Sequence, residues 1–254
     1  MTPDASLDYI EALTEARSQE TLWSMHTEMM ATFGFDRLIY GYTGFRTDAS
    51  LGDVDDFTIL SNHDPAYLNA FLGDGLYFNG PMMHWCLHNT GACSWRWMAE
   101  RRAAGALSPT ELAVSDFNLS MGVTAGYSIS FPTVSSRAKG ALALTARLGM
   151  TQDEVDEIWQ EHGRFIELSS QIAHLKILSL PYEHPRRALT GRQREVLEWV
   201  GDGKTIQDIA TLLDRTPATV EKHLRLAREA LDVETTAQAL LKASFLKQIY
   251  KPES

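Results

Sequence analysis

Residues 216–225 read TPATVEKHLR. Thr216 before Pro217 is a strong helix start: the hydroxyl accepts from an otherwise unpaired amide, and proline at the first helical position gives up an N–H the helix does not use there. Beyond it Val220, Leu224, Ala227 and Leu231 recur on one helical face, and Ala218, Glu221, Lys222, Arg225 and Glu229 lie on the opposite one. A buried stripe behind and mixed charge in front raise the question of what the charged face meets.

The flanking residues answer it. Thr190 with Gln193 three positions on is a capping box, opening a helix whose stripe is Val196, Leu197 and Val200 and which Gly201 and Gly203 close. Thr205 caps a second, short helix with Ile206, Ile209, Ala210 and Leu213 inward, and Asp214-Arg215 make the turn into Thr216. Thr235 with Gln238 opens a fourth helix through Leu240, Leu241 and Leu246. Two short helices joined by a tight turn, the second presenting polar side chains from its first turns, form a helix-turn-helix. Its exposed groups suit double-stranded DNA. Arg225 has the donors for guanine O6 and N7, and Glu221 an acceptor for the cytosine amine. Lys222, Arg228, Thr216 and Thr219 suit phosphates. Lys204 and Thr205, at the start of the second helix, stand where another phosphate is favoured. The alternative is a four-helix scaffold with a merely solvated face; four helices with strong caps in one short module favour the DNA reading.

The charge divides unevenly along the 254 residues. Residues 1–185 carry 11 Lys/Arg against 23 Asp/Glu, a balance of −12, whereas 186–254 carry 12 against 10, a balance of +2. Acidity of the whole argues against non-specific nucleic-acid binding and leaves room for one docked helix. No apolar run is long enough to span a bilayer, and the start, MTPDASLDYI, is acidic rather than a signal peptide's basic n-region, so a cytoplasmic protein without a membrane partner is expected. Cys86 and Cys93 make no disulfide framework, and His84 and His88 beside them lack paired CxxC or HExxH spacing, so neither a metal nor a cofactor is expected.

Upstream of the helix quartet, LSLPYEHPRRAL (178–189) breaks the preceding helix at Pro181 and Pro185 and brings His184, Arg186 and Arg187, a linker of moderate stiffness. The division expected is a ligand-binding domain at 1–177, a linker at 178–188 and a DNA-binding domain at 189–254. In the first part residues 4–33 read as one helix (Ile10, Leu13, Leu22, Met25, Met29) ended by Gly34. Strands are expected at 35–45, 56–62, 123–132 and 139–147, and a long helix at 151–178 capped by Thr151 with Glu154. The fold class is α+β: an N-terminal α-β-α sandwich about a central antiparallel sheet, followed by an all-α four-helix domain. Such a sandwich can hold a small molecule between sheet and helices.

At this point the residues resemble a known family. The run from Leu189 to Val233 closely resembles the DNA-binding domain of LuxR-type transcription factors, through Leu189-Thr190, Glu195, Leu197, Gly203-Lys204, Ile209-Ala210, Thr219-Val220, His223-Leu224 and Leu231. The N-terminal part resembles the autoinducer-binding domain of quorum-sensing LuxR proteins, with Pro81, Trp95 and Gly126 at signature spacings. The resemblance implies a homodimer on a partly palindromic operator, with the fourth helix (Leu240, Leu241, Phe245) and the long helix at 151–178 as candidate seams. It also implies a pocket for an acyl-homoserine lactone, whose amide N–H the family accepts on an aspartate before the proline and whose lactone carbonyl meets a tryptophan thirteen residues earlier. Here those spacings fall on Gly80 and Tyr67, and Phe71 stands where a tyrosine is usual.

These departures carry weight. A charge-assisted bond to a buried N–H contributes about 1.5–3 kcal/mol net, and losing it uncompensated weakens binding roughly a hundredfold. Gly80 offers no side chain, so Asn79 or a backbone carbonyl must substitute; the phenol of Tyr67 still donates. Further wall candidates are Tyr40, Tyr42, Met82, Trp85 and Thr145, with plain core packing as the alternative for each. A ligand-responsive regulator sensing an acyl-homoserine lactone or related apolar signal is the leading reading. A solo regulator answering a different ligand, or none, is its rival. An enzyme with a DNA-binding tail, using His63, Asp64, His84, His88, Cys86 or Cys93, lacks any diagnostic spacing, nucleophile elbow or phosphate loop.

Overall fold

The computed structural model describes residues 3–47, 50–182 and 187–250. They fall into two compact units, Met1–Leu51 with Phe57–Ile177, and Gly52–Asp56 with Leu178–Ser254. His184, Pro185 and Arg186 of the expected linker lie outside the described residues.

In the first unit α1 (Pro3–Glu15) and α2 (Gln19–Thr32) precede β1 (Phe35–Thr43) and β2 (Thr58–Ser61). Short helical pieces follow: α3 (Pro65–Leu68), a π-helical turn Asn69–Gly73, a 3-10 turn Leu76–Asn79 and α4 (Pro81–His88). Then come β3 (Gly91–Ser94), α5 (Arg96–Ala103), α6 (Pro109–Ser120), β4 (Gly126–Ser130), β5 (Lys139–Ala146) and the 28-residue α7 (Gln152–Ser179). The strands form one antiparallel sheet in the order β2-β1-β5-β4-β3. One face packs on α2 and α7, where Phe35 and Tyr127 meet Trp159, and Tyr40 and Phe131 meet His174. The other face looks toward α4 and α6.

Two expectations need correction. The single helix at 4–33 is two, because Ser18 caps a fresh start by accepting from Thr21 N–H. The break resets the phase, so the second helix buries Leu22, His26 and Met30 instead of Met25 and Met29. The sheet also has a fifth strand, β3, a four-residue edge whose opening glycine gives no alternation to read. The capping box at Thr151 and Glu154 is present.

The second unit holds α8 (Gly191–Gly201), α9 (Ile206–Leu212), α10 (Pro217–Leu231) and α11 (Thr236–Phe245), opened by Thr190, Thr205, Thr216 and Thr235, each accepting from its N3 amide. Val196, Leu197, Ile209, Ala210, Val220, Leu224, Ala227, Leu231, Ala239 and Ala243 form its core. Gln248, fully buried, ties the ends together: its amide donates to Arg187 O (2.8 Å) and its carbonyl accepts from Leu189 N–H (2.9 Å). Buried Asp56 also belongs here, 2.8 Å from Lys242 and 3.4 Å from Arg187.

Candidate functional site

The pocket of the first unit follows from side-chain size on alternate strand positions. Paired residues project to the same face. Leu38 with Leu144 and Tyr127, and Tyr40 with Leu142 and Ile129, make the face toward α2 and α7. On the opposite face Gly41 pairs Ala141, Ala141 pairs Ser130, Ala143 pairs Ser128 and Thr145 pairs Gly126. Small side chains there cannot fill the space under α4 and α6, and a predominantly apolar cavity of about 140 Å³ remains. Interiors of native proteins hold few voids larger than a water molecule, so this one is a feature of the fold.

Tyr67, Phe71, Gly80, Met82, Trp95 and Thr145 all line the cavity. Trp95 lies on Gly126: a Cβ there would stand 2.2 Å from Leu144 O and 3.1 Å from the indole, so only glycine lets the ring pack against the strand. The indole N–H donates to Ser128 Oγ at 2.9 Å, and the Tyr67 hydroxyl to Asn118 Oδ1 at 3.1 Å. Tyr67 is stacked among His63, Phe71 and Phe117, with centroids 4.6–5.6 Å away. Buried Thr145 meets His63 Nε2 at 3.3 Å, and burial, then the nearby Arg37 charge, lowers the His63 pKa to about 4.

Other expected wall residues are placed differently. Tyr40 and Tyr42 border the cavity through their strand, but strand alternation turns their rings to the other face, where both pack on His174 and Tyr40 donates to or accepts from its Nδ1 at 2.8 Å. Trp85 is not among the lining residues; Met82, Met83, Cys86 and Leu87 turn the cavity stripe of α4 away from it. Asn79, the possible substitute acceptor, is exposed and lines nothing. Residues the sequence did not single out include Ser128 and Asn118, which hold the two polar ring groups, and Lys139, Met83 and Met98 in the wall. Only their neighbours in space identify them, since they come from five separate elements.

The second unit offers a concave face lined by Ile206, Ala218, Glu221, Lys222, Leu224, Arg225, Arg228 and Thr236. Here α10 shows its first turns, with Glu221, Lys222 and Arg225 exposed. Arg225 pairs with Glu229 one turn on. Arg228, half-buried, donates to Thr236 Oγ1 at 3.0 Å, which ties α10 to α11. Thr216 and Thr219 share a hydrogen bond of 2.9 Å. Thr205 donates to the Asp208 carboxylate (2.7 Å), so the start of α9, where Lys204 and Thr205 stand, already holds an anion.

Comparison with known proteins places both units. Residues 18–177 match the autoinducer binding domain family, and residues 187–231 match sigma-70, region 4. The transcriptional activator AhyR of Aeromonas hydrophila is 24% identical over 247 residues, 95% of this chain and 91% of its own. The quorum sensing-dependent regulator RpaR of Rhodopseudomonas palustris is 39% identical over 80 residues, 31% of this chain and 33% of its own. The crystal structure of Escherichia coli SdiA has the same fold at 14% identity, with a TM-score of 0.51 over 98% of this chain and 99% of that one. This chain thus belongs to the autoinducer binding domain family and is a ligand-responsive transcription regulator of the LuxR type.

Proposed function

We propose that the cavity beneath Trp95 and Tyr67 is the signal site and that α10 is the helix that enters the major groove. The signal is an acyl-homoserine lactone or a related apolar molecule, and the protein works as a cytoplasmic homodimer on a partly palindromic operator. The observation that carries this is the coexistence of an apolar cavity in one unit with an exposed, polar first half of α10 in the other. Exposed Leu241 and Phe245, four apart on α11, and Leu168 and Leu175, seven apart on α7, supply apolar stripes suited to a second copy. Ligand occupancy would stabilise the DNA-competent state by linkage. Catalysis is disfavoured: burial pushes the Cys86 and Cys93 thiols up to about 12 and 11, which keeps both protonated at neutral pH.

Arg225 is the base-reading candidate, Glu221 its neighbour, and Lys222 the phosphate contact. Arg225→Ala should leave the melting temperature within about 1 °C, since the residue is exposed, and should cost about 1–3 kcal/mol of discrimination between operator and scrambled DNA. Equal operator selection by both proteins, measured by fluorescence anisotropy, would assign reading to another element. A second reading has one observation behind it: Gly80 leaves the cavity without the acidic acceptor for a lactone amide, which favours a solo regulator of different ligand chemistry.

A further inference from the structure

The charge inventory of the cavity specifies what it can hold. Among the described residues that line it there is no Asp or Glu, and Lys139 is the one charged side chain. Lys139 opens β5 opposite Thr43, on the same sheet face as Ala141, Ala143 and Thr145. Its Nζ donates to Asn89 O (3.0 Å) at the end of α4, leaving two of three ammonium donors without an acceptor among the described residues. A second cation acts here: the Arg46 charge is felt by Lys139, and the Arg46 backbone N–H donates to Arg137 O (2.8 Å), which brings the two strand ends together. Among the described residues no carboxylate pairs with Lys139, Arg46 or Arg137. That is notable in a stretch whose balance is −12 over residues 1–185. At the opposite end Trp95 and Tyr67 already spend their donors on Ser128 and Asn118.

We propose that the ligand is an apolar molecule with a terminal carboxylate, its anionic end paired with Lys139 at the rim and its body laid along the small-residue face toward Trp95. The seven residues from Lys139 to Thr145 give that face a length of about 20 Å, enough for an extended acyl chain. An amide-headed ligand must find an acceptor for its N–H where Gly80 supplies no side chain; a carboxylate only accepts, and the one charged side chain in the wall, Lys139, only donates. This inference rests on the cavity being the signal site.

The test uses the full chain and three probes, decanoate, methyl decanoate and N-decanoyl homoserine lactone, with affinity measured by calorimetry. Decanoate should bind at least tenfold more tightly than its methyl ester. Lys139→Gln should remove that advantage and leave the ester unchanged, and Lys139→Arg should restore it. Equal binding of acid and ester by the parent protein overturns the proposal even where Lys139→Gln does not fold. Preference for the lactone also overturns it while leaving the signal site in place. Failure of all three probes to bind would overturn both the carboxylate assignment and the signal site on which it rests.

Discussion

The two faces of the five-stranded sheet are made by the same strands and behave oppositely. Toward α2 and α7, Leu38, Tyr40, Ile129, Leu142 and Leu144 are buried with at most 2% exposure and leave no gap. Toward α4 and α6, Gly41, Gly126, Ser128, Ala141 and Ala143 stop short and leave the cavity. Residue size at alternate positions, and not strand geometry, separates core from cavity. A ligand filling about 140 Å³ gains contacts worth about 3 kcal/mol at some 24 cal/mol per Å³ of cavity. For a chain of this length that is roughly 6–12 °C of melting temperature.

The comparison breaks most severely at Gly126. Gly126→Ala sets a methyl 2.2 Å from Leu144 O and against Trp95, and neither backbone nor buried ring can yield. We expect loss of soluble protein, or destabilisation above about 4 kcal/mol. A variant with a parental urea midpoint would mean that Trp95 does not lie on β4.

Acidification strikes both layers. Burial lowers the pKa of His26 and His174, in the helix-facing layer, and of His63, beneath the cavity, to about 4. Their unfolded value is near 6.5, so the unfolded chain binds more protons between these limits. Stability is therefore full above pH 6.5 and is lost as pH falls through 4, at up to about 3 kcal/mol for each histidine. Denaturant titrations at pH 7, 5.5 and 4.5 should show the fall; a flat profile would put these imidazoles in contact with water.

Two positions on β5 then separate the faces by size alone. Leu144→Ala empties a packed site and should cost about 2–5 kcal/mol. Ala141→Leu adds volume where space exists, so it should shift stability by less than about 1.5 kcal/mol and abolish stabilisation by any ligand. Equal destabilisation by both would show that the second face is packed as tightly as the first.

Legibility followed the range of the interactions. The helix quartet is written in i to i+3 signals, and Thr190, Thr205, Thr216 and Thr235 cap where the sequence places them. The long strands show as alternation, whereas Ser18 hides a helix break inside an unbroken apolar pattern and β3 is too short to alternate. Signature spacing found Trp95 and Gly126. It could not find Ser128, Asn118 or Lys139, whose roles exist only through partners 33 to 51 residues away. Tyr40 and Tyr42 were legible as aromatic and not as facing the wrong layer, because that depends on the register between β1 and β5.

Gly80→Asp makes the smallest change and sharpens the comparison most finely. Gly80 caps α4 with extended backbone (φ −69°, ψ 123°) and no side-chain bond, so an L-residue fits without backbone strain. Its Cβ would meet Tyr77 O at 3.3 Å, a contact that costs a few tenths of an ångström of adjustment. Asp at this position gains a cap worth about 0.5–2 kcal/mol, against which the tight contact counts, so stability should move by less than about 1 kcal/mol. The carboxylate also restores an acceptor beside the cavity, and affinity for N-decanoyl homoserine lactone should rise about tenfold, short of the full value of a charge-assisted bond because the α4 amides compete for the same oxygens. A gain in stability with unchanged lactone affinity would mean that the carboxylate serves only as a cap. The wall at Gly80 would then have been reshaped along with the residue that stands in it.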